Sequence, residues 1–159
     1  MLDFCIIGSG ISGSTIANLL NKKYSVAVYD KARGAGGRSS NKKFKKNLSF
    51  DHGLQYFSLK NNIFEKDLKK LINKKILKIW DGNHLDFTFN KNPNSMKVIG
   101  KKGNNDLIKY NLKGIKQNFN STVTKIKKEQ NFWEISLNGN TQIQSKNLIL
   151  TCPYPQVKI

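Results

Sequence analysis

Three glycines at fixed spacing, in Gly8-Ser9-Gly10-Ile11-Ser12-Gly13, constrain this chain more than anything else in its 159 residues. Their surroundings give them weight. Residues 2–7 (LDFCII) read as a buried strand, residues 12–22 carry Ile16, Ala17, Leu19 and Leu20 at helical spacing, and residues 24–30 (YSVAVYD) read as a second strand. The glycines therefore sit at the strand-to-helix turn of a β-α-β unit. In that position Gly8 permits the tight turn, Gly10 lets the backbone approach a pyrophosphate, and Gly13 lets the helix lie close to the sheet, while the helix N-terminus faces the negative charge. Asp30 stands 22 positions after Gly8, at the end of the second strand. A carboxylate there accepts from an adenosine ribose and favours an unphosphorylated 2′-hydroxyl.

The stretch after Asp30 bears on which dinucleotide is bound. A plain NAD half-domain runs through a short loop into another crossover helix and a third strand. Here the chain enters KARGAGGRSSN, residues 31–41, with three glycines and no hydrophobic period. Such a loop supplies backbone N–H groups and the guanidinium groups of Arg33 and Arg38 to the same diphosphate, an arrangement that suits FAD.

Downstream, residues 62–75 read as an amphipathic helix and 76–99 as short strands broken at Asp81-Gly82 and Asn92-Pro93. A second helix is expected at 106–112. Residues 121–128, 131–137 and 141–145 read as a three-stranded meander, with Asn138-Gly139 as its strongest hairpin signal. The apolar run 147–152 (NLILTC) reads as a separate central parallel strand covered on both faces and ended by Pro153.

The stretches GSGISG, YDKARGAGGR, FDHGLQYF, TVTKI followed by WEI, and LTCPYPQ occur in order from residue 2 to about 156. Together they resemble the FAD-dependent oxidoreductases of the renalase-like branch, related to the flavin amine oxidases. The resemblance implies a Rossmann-type α/β FAD-binding domain with a β-meander and part of an inserted α+β substrate domain. The implied division is 1–58 and 101–159 for FAD binding and 59–100 for the insertion. It further implies that Ser12 lies on the diphosphate loop with Gly8, Gly10, Gly13, Arg33 and Gly37, that Asp30 meets the ribose and Arg38 the pyrophosphate. Gln55 and Tyr56 would line the flavin side, and Val123 would meet the adenine through its backbone. The implied chemistry is hydride transfer from a small dihydronicotinamide-type substrate or an amine to flavin, with dioxygen as the acceptor. No catalytic residue is nominated. The chain departs from the pattern at Gly100-Lys101-Lys102-Gly103, where the family has a proline-glycine turn. Family members also continue well past residue 159, so the expectation is an N-terminal half, completed by downstream sequence or by a second chain; a non-catalytic fragment is the alternative.

The net charge of +18 raises a nucleic-acid reading, since clustered cations release counterions from phosphates. Yet only Arg33 and Arg38 of the 28 basic residues are arginine, and the lysines are scattered. Guanidinium forks, not dispersed ammonium groups, read bases. The expected arrangement is a solvated lysine surface with no specific nucleic-acid partner. Apolar runs far shorter than the roughly 20 residues of a membrane span exclude a transmembrane helix, and a cytoplasmic location is expected. Cys5 and Cys152, both placed in strands, read as apolar fillers without a disulfide; with His52 and His84 they form no metal constellation. His52 reads as structural. Trp133, alternating with Ile135 and Leu137, reads as packing in the meander.

Overall fold

A computed structural model describes residues 1–45, 48–58, 62–82 and 97–157. His84 and the Asn92-Pro93 break lie outside the described residues. By compactness the chain divides into two units, Met1–Gly37 with Ile108–Ile159, and Arg38–Leu107.

In the first unit, β1 (Leu2–Ile7) leads through the glycine turn into α1 (Ile11–Leu20) and β2 (Val26–Tyr29). The β-α-β reading is borne out to within two or three residues at each boundary. Cys5, Ile7, Ala27 and Tyr29 point to one sheet face and alternate with Ile6, Val26 and Val28, the period-2 consequence of the pleat. In the second unit, a hairpin of β3 (Asn41–Lys45) and β4 (Leu48–Asp51) precedes β5 (Phe57–Ser58), α2 (Asn62–Asn73), β6 (Leu77–Ile79) and β7 (Lys97–Gly100). Strands β5, β7 and β6 form a small antiparallel sheet in that order. Leu68 and Leu71 of α2 are buried in this unit, and Glu65–Lys69, 2.6 Å apart, pair on the helix's other side. Helix α3 (Asp106–Asn111) returns the chain to the first unit.

There β8 (Lys116–Asn118), β9 (Val123–Lys128), β10 (Trp133–Leu137) and β11 (Thr141–Leu150) complete a six-stranded sheet in the order β8-β2-β1-β11-β10-β9. Strands β8, β2, β1 and β11 are parallel, whereas β10 runs antiparallel to both β11 and β9. The meander is therefore present, and Asn138 (φ 50°) and Gly139 (φ 85°) both take the left-handed backbone its hairpin requires. Trp133 packs against the sheet-face cluster, as expected.

One expectation is corrected. The stretches 141–145 and 147–152 are not two strands but the single ten-residue β11, which pairs with β10 through Thr141–Ser145 and with β1 from Ser145 to Leu150. The polar Lys146 and Asn147 suggest a break in sequence; they are instead paired across the sheet, Lys146 Nζ lying 2.8 Å from Asp3 Oδ1 and Asn147 Nδ2 donating to the Asp3 carbonyl at 3.0 Å. Leu148, Ile149 and Leu150 are half-buried, not covered on both faces, and Cys152 falls beyond the strand end. Asp3 Oδ2 also accepts from Ser25 N and Oγ. The Lys146 bond, followed by those from Ser25, holds the Asp3 carboxyl well below the usual range, so its contribution is present above ordinary carboxylate pKa values and is lost as pH falls below them.

Cys5 is fully buried, and burial pushes its thiol up to about 12 from an ordinary 9.0. The neutral thiol is thus the folded form, and stability associated with it is lost as pH rises from about 9 toward 12. At pH 8 iodoacetamide is expected to alkylate the half-buried Cys152 in the folded chain and Cys5 only after unfolding. Intact-mass measurement showing rapid double labelling of native protein would contradict this.

Candidate nucleotide-binding site

The turn from β1 into α1 is built so tightly that two of its glycines admit nothing larger. Gly8 has φ 106°, and a Cβ there would lie 2.6 Å from Thr151 Oγ1; a Cβ on Gly13 would lie 2.0 Å from the Gly8 carbonyl oxygen. Gly10 differs: its nearest neighbour to an added Cβ is Gly37 Cα at 3.9 Å, an ordinary contact. A methyl group would therefore fit at Gly10 without displacing protein. Helix α1 begins at this point with no side-chain cap and no acidic residue in its first turn. Its leading N–H groups and dipole thus present positive potential to an anion. Ser12 is exposed on that first turn.

The second glycine loop is brought to the first. Gly36 N donates to the Ser9 carbonyl at 3.1 Å, and Gly37, with φ 53°, would place a Cβ 3.0 Å from Gly10 Cα. One of this loop's N–H groups therefore secures the loop itself, a use the sequence does not suggest. Arg33 is exposed on it.

Asp30 follows β2 directly, beside the same turn. Its Oδ2 accepts from Ser9 N at 2.7 Å and from Ser9 Oγ at 2.6 Å, and its Oδ1 accepts from Ala32 N at 2.9 Å. The segment leading into β9 is laid alongside: Asp30 N donates to the Asn118 carbonyl, Ser121 N to the Asp30 carbonyl and Asn120 N to the Ala32 carbonyl. Asn138 fixes this segment from the meander, donating from Nδ2 to the Asn120 carbonyl and accepting at Oδ1 from Thr122 N. The first unit thus gathers Gly8, Gly10, Ser12, Gly13, Asp30, Gly37 and the approach to Val123 at the end of the parallel strands where ligands of such sheets bind.

Arg38, Gln55 and Tyr56 belong to the second unit. Arg38 is exposed; its carbonyl accepts from Leu54 N at 2.8 Å. Gln55 is exposed, while the Tyr56 ring lies 5.8 Å from Trp80 and has Lys97 Nζ 4.6 Å from its centroid. Lys97 is the one described lysine that is not exposed, which supports the reading of the lysine excess as solvated surface. His52 is exposed as well; the structural residue of the DHG step is Asp51, whose Oδ1 accepts from Asn41 Nδ2 and from Asn104 N.

Three residues that position the site carry no signal as motif members. Ser9 is fully buried against Asp30. Thr151, past the end of β11, sets Oγ1 3.0 Å from the Ile7 carbonyl and 3.2 Å from that of Gly8, bracing the turn from behind. Asn104, fully buried, donates from Nδ2 to the Leu54 and Gln55 carbonyls and accepts at Oδ1 from Gly100 N, a side-chain clasp between the 54–55 backbone and the turn at 100–104.

Residues 6–73 match the NAD(P)-binding Rossmann-like domain family. Renalase of Mus musculus is 27% identical, covering 96% of this chain and 47% of its own length, so the chain spans about half of that relative. A putrescine oxidase variant redesigned in cofactor binding superposes with a TM-score of 0.74 at 13% identity, over 98% of this chain and 59% of that one. A tetracycline destructase superposes with a TM-score of 0.61 at 16% identity, over 93% of this chain and 37% of the other. The solved structures bear out the Rossmann-type α/β fold. No described helix is long and apolar enough to cross a membrane.

Proposed function

We propose that this renalase-like chain, a Rossmann-type nucleotide-binding fold with an antiparallel meander, binds FAD and forms the cofactor-holding part of a flavin-dependent oxidoreductase. The observation that carries the reading is a glycine turn opening an uncapped helix N-terminus, with room for a methyl group at Gly10 and a carboxylate just past the next strand. The residues fit the group. The N–H groups at the start of α1 and Ser12 would hold the diphosphate, with Gly8, Gly13 and Gly37 shaping the turn and Arg33 and Arg38 adding charge. Asp30 would accept from the adenosine ribose and Val123 would border the adenine. Gln55 and Tyr56 would stand on the flavin side.

What FAD supplies when bound is a two-electron acceptor, so that a small reduced molecule of the dihydronicotinamide or amine type can give up a hydride, with dioxygen as the final acceptor. This chain's residues bind and orient; no protein nucleophile is required. The chain spans about half of the renalase it matches, so turnover is proposed for the complete flavoprotein, including any second chain that completes the fold. The domain assignment 1–58 and 101–159 for FAD and 59–100 for substrate is part of the same proposal; it describes function, whereas the compact units divide at Gly37 and Leu107.

Titration calorimetry with FAD and with ADP-ribose tests the reading. Asp30→Ala is expected to weaken both about tenfold or more, the usual effect of losing a hydrogen bond to a charged acceptor. Unchanged affinity for both ligands in a variant that still melts cooperatively would overturn the assignment.

A further inference from the structure

We infer that Ser9 restricts Asp30 to reading a single hydroxyl of the adenosine ribose. This rests on the nucleotide-binding reading above and specifies its selectivity. An ionised carboxylate offers about four acceptor positions, two on each oxygen. In this chain Oδ2 is used twice by Ser9, through its amide at 2.7 Å and its hydroxyl at 2.6 Å, and Oδ1 is used once by Ala32 N at 2.9 Å. One position remains, on Oδ1. A vicinal diol needs two acceptor positions to be held through both hydroxyls, so the second hydroxyl finds none on this carboxylate.

The Ser9 hydroxyl is the decisive member of the set. Both amide bonds come from backbone that the glycine turn and the β2 terminus fix in place, and any residue but proline at position 9 would keep its amide there. The hydroxyl alone depends on the side chain. Ser9 is fully buried, but Asp30 is only half-buried, so the carboxylate keeps an open side on which a ligand can meet it. Ser9 is thus a positioning residue that acts through Asp30, and an alanine in its place returns one acceptor position on Oδ2 to a ligand.

The probes are ADP, 2′-deoxy-ADP and 3′-deoxy-ADP, titrated into the full chain and into Ser9→Ala. With the native chain, one deoxy analogue is expected to bind about tenfold or more weakly than ADP and the other within about twofold of it. In Ser9→Ala the tolerated analogue is expected to lose several-fold relative to ADP, because both hydroxyls are then read. A merely structural role for Ser9 would lower all three affinities together and leave their ratios alone. Comparable losses for both analogues in the native chain, or no loss for either, would overturn the inference, and so would ratios that Ser9→Ala does not change. The native series needs no variant to fold. Failure of ADP itself to bind would instead strike the nucleotide-binding reading, and this inference with it.

Discussion

Gly13→Ala is expected to destabilise the chain by about 3 kcal/mol or more, while Gly10→Ala leaves its stability within about 1 kcal/mol of the native value and abolishes measurable nucleotide binding. Both positions belong to the same motif, and both changes add one methyl group. At Gly13 the new Cβ would stand 2.0 Å from the Gly8 carbonyl oxygen and 2.8 Å from Thr151 Oγ1. Neither is the free end of a flexible side chain, since Gly8 O is backbone and Thr151 Oγ1 is held by the Ile7 and Gly8 carbonyls. Alanine's better helix propensity returns only about 1 kcal/mol, so the clash decides the sign. At Gly10, φ is −79°, which any residue adopts, and the nearest atom to the new Cβ is 3.9 Å away. There the methyl group rests in ordinary contact with Gly37, and its main effect is to bar the close backbone approach a pyrophosphate needs. Thermal denaturation read beside calorimetry with ADP-ribose separates the two effects. A Gly10→Ala protein that melts normally and still binds ADP-ribose with native affinity would mean that the space before Gly10 is not the diphosphate site.

The part of this fold legible in the sequence is the part in which apolar periodicity and backbone chemistry agree. Strands β1 and β2 carry continuous apolar runs buried on both faces, α1 carries its apolar residues at helical spacing, and Asn138-Gly139 marks its hairpin. Polar strands are invisible for a physical reason. Strand β8 is Lys116-Gln117-Asn118, held to β2 by backbone bonds and without an apolar face to announce it. Strands β3 and β4 expose nearly all their side chains, Phe44 and Phe50 among them, so their alternation carries no burial pattern. The split of β11 has the same source, since Lys146 and Asn147 find partners on Asp3 that only the register reveals. Within the candidate site, the glycines and Asp30 are legible because they fall at fixed offsets in a strand–turn–helix–strand unit. Ser9, Thr151 and Asn104 are not, because what they bind is other parts of this chain, at separations such as 21 or 143 residues that no local pattern records.

Asn104→Ala is expected to weaken the second unit by about 3 kcal/mol and to release the backbone that carries Gln55 and Tyr56. The fully buried amide satisfies three main-chain groups at once: the Leu54 carbonyl at 2.7 Å, the Gln55 carbonyl at 3.0 Å and the Gly100 amide at 2.9 Å. Each buried group left without a partner costs about 1–3 kcal/mol, and water entering the small cavity recovers much of the sum, which sets the figure at the low end of the three-group total. The turn at Gly100 is tightly closed, since a Cβ there would lie 1.8 Å from the Gly103 carbonyl oxygen. Asn104→Asp is the informative companion. It keeps an acceptor for Gly100 N but replaces both donors with charge facing two carbonyls, and it should be worse than alanine. The Asn104 amide N–H, bonded to Asp51 Oδ1 at 2.9 Å, is backbone and survives both changes, so the hairpin end of the clasp serves as an internal control. Hydrogen exchange read residue by residue should show the Gly100 amide losing protection in both variants while the amides of β1 and β2 keep theirs. Native-like protection at Gly100 together with an unchanged melting temperature would show that the clasp contributes nothing, and that some other interaction holds the 54–56 segment in place.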